Sequence, residues 1–295
     1  MLSHATSTTT GDLPLIDDPR DPRVRRIADV LRAGAHARRT IVIDDLPNIL
    51  EAMRAGVQIE EIYVTQPALA SQLDSAGADG TPTFWLDPAV AVKLFGGEKK
   101  TRVFALASCP PPWLPSDVLG RSGDVLILDG VCLTGNIGAL VRTAAALDAA
   151  GVVLVNSGLA SITDRRLVRA SRGFIFHLPV VLASSAQLLD LVRRAQLVVV
   201  SLSATATAPI SRLAEMNERV AILLGSERDG PSAVVDALAA HRLSVPMNAC
   251  VESLNVSVAG ALALYERRRR DSLSRCHVGG AHLPDPTRQP AAPQR

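Results

Sequence analysis

Apolar positions recur along the chain with two different periods. In DPRVRRIADVLRAG they fall at helical spacing, TIVIDDL and IEEIYVT read as short strands, and PNILEAMRAG reads as a helix closed by Gly56. The alternation continues through PTFWLD, DPAVAVKLFGG and VFALAS, which predicts a small α/β unit. Further on the apolar runs lose their polar alternation and need cover on both faces, the mark of a parallel sheet. DVLILDG, GVVLVNS, PVVLA, QLVVVSLSA, RVAILLGSE and LSVPM predict six strands. Helices are predicted between and after them, at NIGALVRTAAALDAAG, TDRRLVRASRG, SAQLLDLVRRA, PSAVVDALAAH and SLNVSVAGALALYERRRR.

These patterns divide the chain. Residues 1–18 are Ser/Thr-rich without periodicity and read as a flexible leader, with order beginning near Pro19. Residues 19–108 form the first domain, 109–122 a Pro-rich linker, 123–270 the second domain, and 271–295 a disordered tail. The run Cys109-Pro110-Pro111-Pro112-Trp113-Leu114-Pro115 can continue neither a helix nor a central strand. It reads either as that linker or as a surface loop packed on one of the domains.

Composition narrows the function classes. With 47% hydrophobic and 20% charged residues among 295, the chain can bury a full core. Aromatics at 3% favour aliphatic helix-on-sheet packing. Mean hydropathy is +0.21, yet no stretch reaches the roughly 18 uninterrupted apolar residues of a membrane span. The start lacks the basic and apolar regions of a secretory signal, so a cytoplasmic location is expected. Cys109, Cys132, Cys250 and Cys276 form no CxxC pair and the six histidines none at ligand spacing, so neither a disulfide framework nor a metal site is expected. Net charge is +2, but residues 267–295 carry about +5 and the body about −3, so a polyanion must be met by local patches.

Ligands of open α/β sheets gather at the carboxyl ends of the strands, and three junctions there stand out. The first runs from Asp129-Gly130 into Thr134-Gly135-Asn136-Ile137-Gly138, with Arg142 two turns along the following helix. Its glycines allow close backbone approach and Asn136 is suited to cap that helix; a purely structural capped turn is the other reading. Neither a GxGxxG nor a phosphate-loop motif is present. The second, Leu224-Gly225-Ser226-Glu227-Arg228-Asp229-Gly230-Pro231-Ser232, sets a carboxylate between flexible glycines, either to accept ribose or amine hydrogen bonds or as solvated charge on a turn. The third, Val245-Pro246-Met247 through Glu252-Ser253-Leu254-Asn255 to Gly260, breaks a strand into a polar loop and a small-residue helix. Ser253 there is either an N-cap or part of a packed functional loop.

Basic clusters add candidate contacts. Arg165, Arg169 and Arg172 recur at helical spacing, as a phosphate-facing or a solvated face. Lys99, Lys100 and Arg102 beside Gly96 and Gly97 make either a phosphate-binding loop or a soluble turn. Arg267 to Arg270 reads as a charged helix end favoured by the macrodipole, or as an extension of an RNA footprint.

Taken in order, NIGALVRTA, LLGSERDGPS and VPMNACVESLNVSVA resemble the three signature blocks of the SpoU-type 2′-O-ribose RNA methyltransferases of the SPOUT superfamily. A narrower likeness, to the thiostrepton- and nosiheptide-resistance 23S rRNA methyltransferases, extends through DDLPNILEAMRAGVQIEEIYV and LFGGEKKTRVFALA in the first domain and through SITDRRLVRASRGFIFHLPVVL in the second. The resemblance implies an α/β fold: a C-terminal SPOUT domain with a parallel sheet and a deep trefoil knot, and a smaller N-terminal domain like the ribosomal-protein L30e RNA-binding module. It implies S-adenosylmethionine as cofactor, with Leu202, Gly225, Val245 and Leu254 lining its pocket. Arg172 and an Arg142 reaching across a homodimer of the knotted domains would also serve the cofactor.

By the same likeness Arg142, Asn136, Glu227, Ser253 and Asn255 are the catalytic shell. Lys99, Lys100, Arg102, Arg165 and Arg169 are expected to contact RNA. The implied activity is 2′-O-methylation of an adenosine in the thiopeptide-binding loop of 23S rRNA, which confers thiopeptide resistance. The competing expectations are a housekeeping methyltransferase acting on a guanosine of rRNA or tRNA, and a non-catalytic ribosome-assembly factor.

Overall fold

The computed structural model describes residues 13–34, 39–75, 80–96, 101–248 and 250–278. In the first domain, β1 (Leu15–Ile16), α1 (Pro22–Ala33), β2 (Thr40–Asp44), α2 (Leu46–Arg54) and β3 (Ile59–Val64) are followed by α3 (Ala70–Ser75), β4 (Thr83–Leu86), α4 (Pro88–Leu94) and β5 (Val103–Ser108). Asp-Pro pairs start two of the helices. Asp21 caps α1 through the Arg23 amide, and Asp87 caps α4 through the Ala89 and Val90 amides; proline at the first helical position costs no hydrogen bond. The sheet runs β1-β4-β3-β5-β2, with β5 antiparallel to both of its neighbours and the other pairs parallel. Tyr63 and Phe104 stack at 5.0 Å on one face, with the Phe95 edge against Phe104.

The connection and second domain comprise α5 (Pro115–Leu119), β6 (Val125–Asp129), α6 (Thr134–Ala146), β7 (Gly151–Val155), α7 (Arg165–Ala170), β8 (Val180–Leu182), α8 (Ser185–Arg194), β9 (Val198–Leu202), β10 (Ala208–Pro209), β11 (Val220–Leu224), α9 (Ala233–Asp236), β12 (His241–Ser244) and α10 (Val256–Val278). The sheet is wholly parallel, in the order β10-β12-β9-β11-β6-β7-β8. Side chains alternate faces along each strand. Leu126, Leu128, Ile222 and Leu224 therefore join the core under α6 and α10, while Val125, Ile127, Ala221 and Leu223 pack with Leu188 and Val235 of α8 and α9.

Several expectations change. Order begins before Pro19, because Leu15 and Ile16 pair with Trp85 and Leu86 in β4. A seventh strand, β10, joins the six predicted; two residues are too few to show a period. The connection is packed, not free. Trp113 Nε1 donates to the Ile175 carbonyl at 3.2 Å, and Val118 of α5 is fully buried in the second domain. At the other end α10 continues past Asp271 to Val278.

Three arginines of the run in α10 make ion pairs within the fold. Arg267 places its five N–H donors on both Asp124 oxygens and on the carbonyls of Leu213, Met216 and Glu218, at 2.6–3.0 Å. Arg268 pairs with Asp148 and Arg269 with Glu266.

Candidate active site

The three junctions meet beyond the carboxyl ends of β6, β11 and β12, and one chain of hydrogen bonds joins them. Asn136 Nδ2 donates to Glu227 Oε1 at 2.5 Å, and Asn255 Nδ2 donates to Asn136 Oδ1 at 3.2 Å. Asn255 Oδ1 in turn accepts from the Ser257 amide at 2.9 Å and from its hydroxyl at 2.5 Å. This corrects two expectations. Helix α6 starts at Thr134, so Asn136 already lies inside it and spends its amide on the other two segments instead of on a cap. Asn255, not Ser253, caps the last helix.

The loop after β11 doubles back tightly. Ser226 and Gly230 exchange two backbone hydrogen bonds of 3.1 Å, and the Asp229 amide donates to Ser226 Oγ. A Cβ on Gly225 would lie 2.0 Å from the Pro231 nitrogen, so only glycine fits. Behind the loop stands Asp129, a residue sequence reading placed in the first junction but assigned no role. It is buried at the end of β6 and accepts from the Ser232 amide (2.7 Å), the Ser232 hydroxyl (2.6 Å) and Asn156 Nδ2 (2.8 Å). An apolar run that ends in an acid at the carboxyl end of a strand was the available signal.

Between these segments opens a cavity of about 600 Å³, within the usual range for small-molecule sites. Leu202, Gly225, Val245 and Leu254 all line it, as do Glu227, Ser253 and Met247. At one end Ser201 and Arg242 donate to Asp236 at 2.9 and 2.6 Å; the Arg242 hydrogen bond, opposed by burial, holds that carboxyl below its ordinary range. Asn136 and Asn255 stand behind Glu227. Arg142 does not line the cavity: it is exposed on α6, and among the described residues no hydrogen bond or ion pair engages it. Arg172 is also exposed and outside the cavity. Helix α7 ends at Ala170 and Arg172 has φ +54°, so the predicted three-arginine helical face is broken.

Arg165 and Arg169 turn toward the first domain, where Arg165 pairs with Asp44 and Arg169 with Asp45. Lys99 and Lys100 lie outside the described residues; Arg102 is exposed beside them. Among the described residues no group of three His, Cys, Asp or Glu side chains could hold a metal ion, and no helix is long and apolar enough to cross a membrane.

Known proteins share the sequence and the fold of this chain. The profile of the SpoU rRNA Methylase family matches residues 124–265, and that of the thiostrepton-resistance methylase N terminus matches residues 13–121. A 23S rRNA (adenosine(1067)-2′-O)-methyltransferase of Streptomyces laurentii is 43% identical over 88% of this chain and 97% of its own length. The chain belongs to the SpoU rRNA methylase family. A second relative of the same designation, from Streptomyces azureus, is 39% identical over the same shares. Among solved structures, an RNA 2′-O ribose methyltransferase superposes with a TM-score of 0.74 at 28% identity, over 88% of this chain and 99% of that one. The SpoU methyltransferase AviRb from Streptomyces viridochromogenes, crystallised with AdoMet, shares the fold at a TM-score of 0.70 and 23% identity, over 86% of this chain and 99% of its own.

Proposed function

We propose that the protein transfers a methyl group from S-adenosylmethionine to the 2′-oxygen of an adenosine in the thiopeptide-binding loop of 23S rRNA, and so confers thiostrepton resistance. The observation that carries the reading is the joining of all three family blocks, through Asn136, Glu227 and Asn255, beside a cavity of cofactor size in a chain 43% identical to such an enzyme.

The cavity fits the cofactor chemically. Leu202, Val245 and Leu254 offer an apolar slot for a flat base, the backbone beside Gly225 can approach closely, and Glu227 gives an acceptor and a negative charge for ribose hydroxyls or a sulfonium. When bound, S-adenosylmethionine supplies a methyl group already activated for transfer. The chain must align the ribose hydroxyl and manage its proton. None of the three blocks contains a histidine or lysine. Arginine, with a pKa above about 12, is a poor base. Arg142 therefore stabilises negative charge on the 2′-oxygen as the hydroxyl proton passes to solvent.

Arg142 reaches this position from a second copy. A homodimer through the second domain is supported by an unpartnered apolar stripe on α10, Val258, Leu262 and Tyr265, with Leu133 also exposed at the start of α6. The trefoil threading typical of the family would lock the third block over the cavity, and Arg172 would lie at the shared rim. Lys99, Lys100 and Arg102 are the proposed RNA contacts of the first domain, and the cytoplasm is the proposed location. A non-catalytic role is disfavoured by the intact set of Asn136, Arg142, Glu227, Ser253 and Asn255.

The test is labelled-methyl transfer to protein-free 23S rRNA, with the product mapped by its resistance to alkaline hydrolysis. Arg142→Ala is expected to lower turnover by about 10²–10³-fold while cells lose thiostrepton resistance. An rRNA that remains fully hydrolysable after incubation with folded protein overturns the reading.

A further inference from the structure

The two domains share an apolar seam in which Ile41, Ile43 and Ile49 join the same cluster as Leu167, Val168 and Ile175. Apolar contact is non-directional, so it holds the domains together without fixing their angle. Directional contacts are laid over it. Arg165 Nε donates to Asp44 Oδ2, on a side chain only 2% exposed, and the Arg165 guanidinium lies 4.7 Å over the Phe95 ring. Arg169 stands 3.4 Å from Asp45. Gly173, at φ +80°, lets the turn after α7 approach α2: a Cβ there would lie 2.7 Å from Glu51 Cβ. The second Asp44 oxygen has no hydrogen-bond partner, so that carboxylate depends on Arg165.

An ion pair with one partner buried, as Asp44 is here, adds little net stability over a well-packed apolar pair, whereas its geometry is demanding. Its place in the fold gives that geometry a use. Arg165 is the first residue of α7, and the far end of α7 packs on α6 so closely that a Cβ on Gly138 would lie 2.4 Å from Ala170 Cβ. Helix α6 carries Asn136 and Arg142. A continuous line of packed elements therefore runs from β2 of the first domain to the helix that serves the cavity.

We infer that Asp44 and Arg165 are positioning residues: their half-buried pair sets the angle of the RNA-gripping domain on α7, so that a bound RNA delivers its ribose to the cavity beside Glu227. The inference rests on the proposed function and assigns Arg165 a role other than direct RNA contact.

Full-length Arg165→Ala, Arg165→Lys and Asp44→Asn enzymes would be compared with the parent. Expected are binding of S-adenosylhomocysteine within twofold of the parent, a rise of at least tenfold in KM for the rRNA fragment with a smaller change in kcat, and a larger radius of gyration by solution scattering. Arg165→Lys should recover only part, because an ammonium keeps the charge but not the fork or the ring contact. The Asp44→Asn, Arg165→Ala double variant should be no worse than the poorer single, as for residues acting as a unit.

Asp44 is too buried to touch RNA, so a raised KM for the Arg165 variants with an unchanged KM for Asp44→Asn overturns the inference. Unchanged KM in all variants does the same, as does a loss of S-adenosylhomocysteine binding in step with the loss of RNA affinity. If Arg165→Ala fails to fold, Arg165→Lys and Asp44→Asn decide. Should the parent methylate no rRNA, the proposed function falls, while scattering still reports whether the pair holds the domains at one angle.

Discussion

Asn136 shows how much one side chain can be asked to do. Its amide gives a hydrogen to Glu227 and takes one from Asn255, so all three segments lean on a single planar group. Asn136→Asp replaces the donor with a second carboxylate facing Glu227, and repulsion adds to the lost hydrogen bond. kcat/KM for that variant is expected to fall about 10–100-fold, and further than for Asn136→Ala, in steady-state assays; equal losses would mean that the donor's direction is immaterial. Asp236 makes a prediction on the pH axis. Its carboxyl is held below the ordinary 3.8, mainly by Arg242. The stabilisation it gives is thus present above about pH 3.8 and is lost as the pH falls below that value. Melting curves between pH 2.5 and 6 should show Asp236→Asn differing from the parent most at the upper end and converging with it toward the acid end. The resemblance of the three blocks to the SpoU family made Asn136, Glu227 and Asn255 legible as site candidates, but not their mutual hydrogen bonds, which span up to 119 positions.

Elements were legible in proportion to the length of their apolar run. β6, β7 and β11 are five residues each, buried throughout, and could be read as unbroken hydrophobic strings. β1 and β10 have two residues each and exist only because a neighbouring strand offers hydrogen bonds. The end of α10 misled for another reason: four consecutive arginines look solvated, yet one of them is 10% exposed and fully satisfied. Arg267→Met should therefore lower stability by about 3 kcal/mol in urea unfolding, since Asp124 and three carbonyls lose their donor. Arg268→Met, whose partner Asp148 is 65% exposed, should cost under about 1 kcal/mol.

On the scale of the whole molecule, the cavity collects its walls from β9, β11, β12 and the start of α10, while Arg142 is exposed and not among its lining residues. A second copy would supply what one copy lacks. Tyr265→Asp, in the centre of the α10 stripe at 56% exposure, is expected to yield folded monomers in sedimentation with methyl transfer reduced at least tenfold. An active monomer would place Arg142 outside the reaction. The division into two α/β units was readable from the chain because each has its own periodic segments. The charged seam between them was not: Asp44 and Arg165 are 121 positions apart, and a buried acid looks like any other acid in a sequence.

The link between Asn136 and Asn255 bears on how the protein is made. A nascent chain can complete β6 and β11 early, yet its ligand pocket stays open on one side until residue 255 has left the ribosome and the final helix has docked on Leu140 and Leu224 across Gly260. The wall that Ser253, Leu254 and Val256 give the cavity is thus the last part of it to be synthesised.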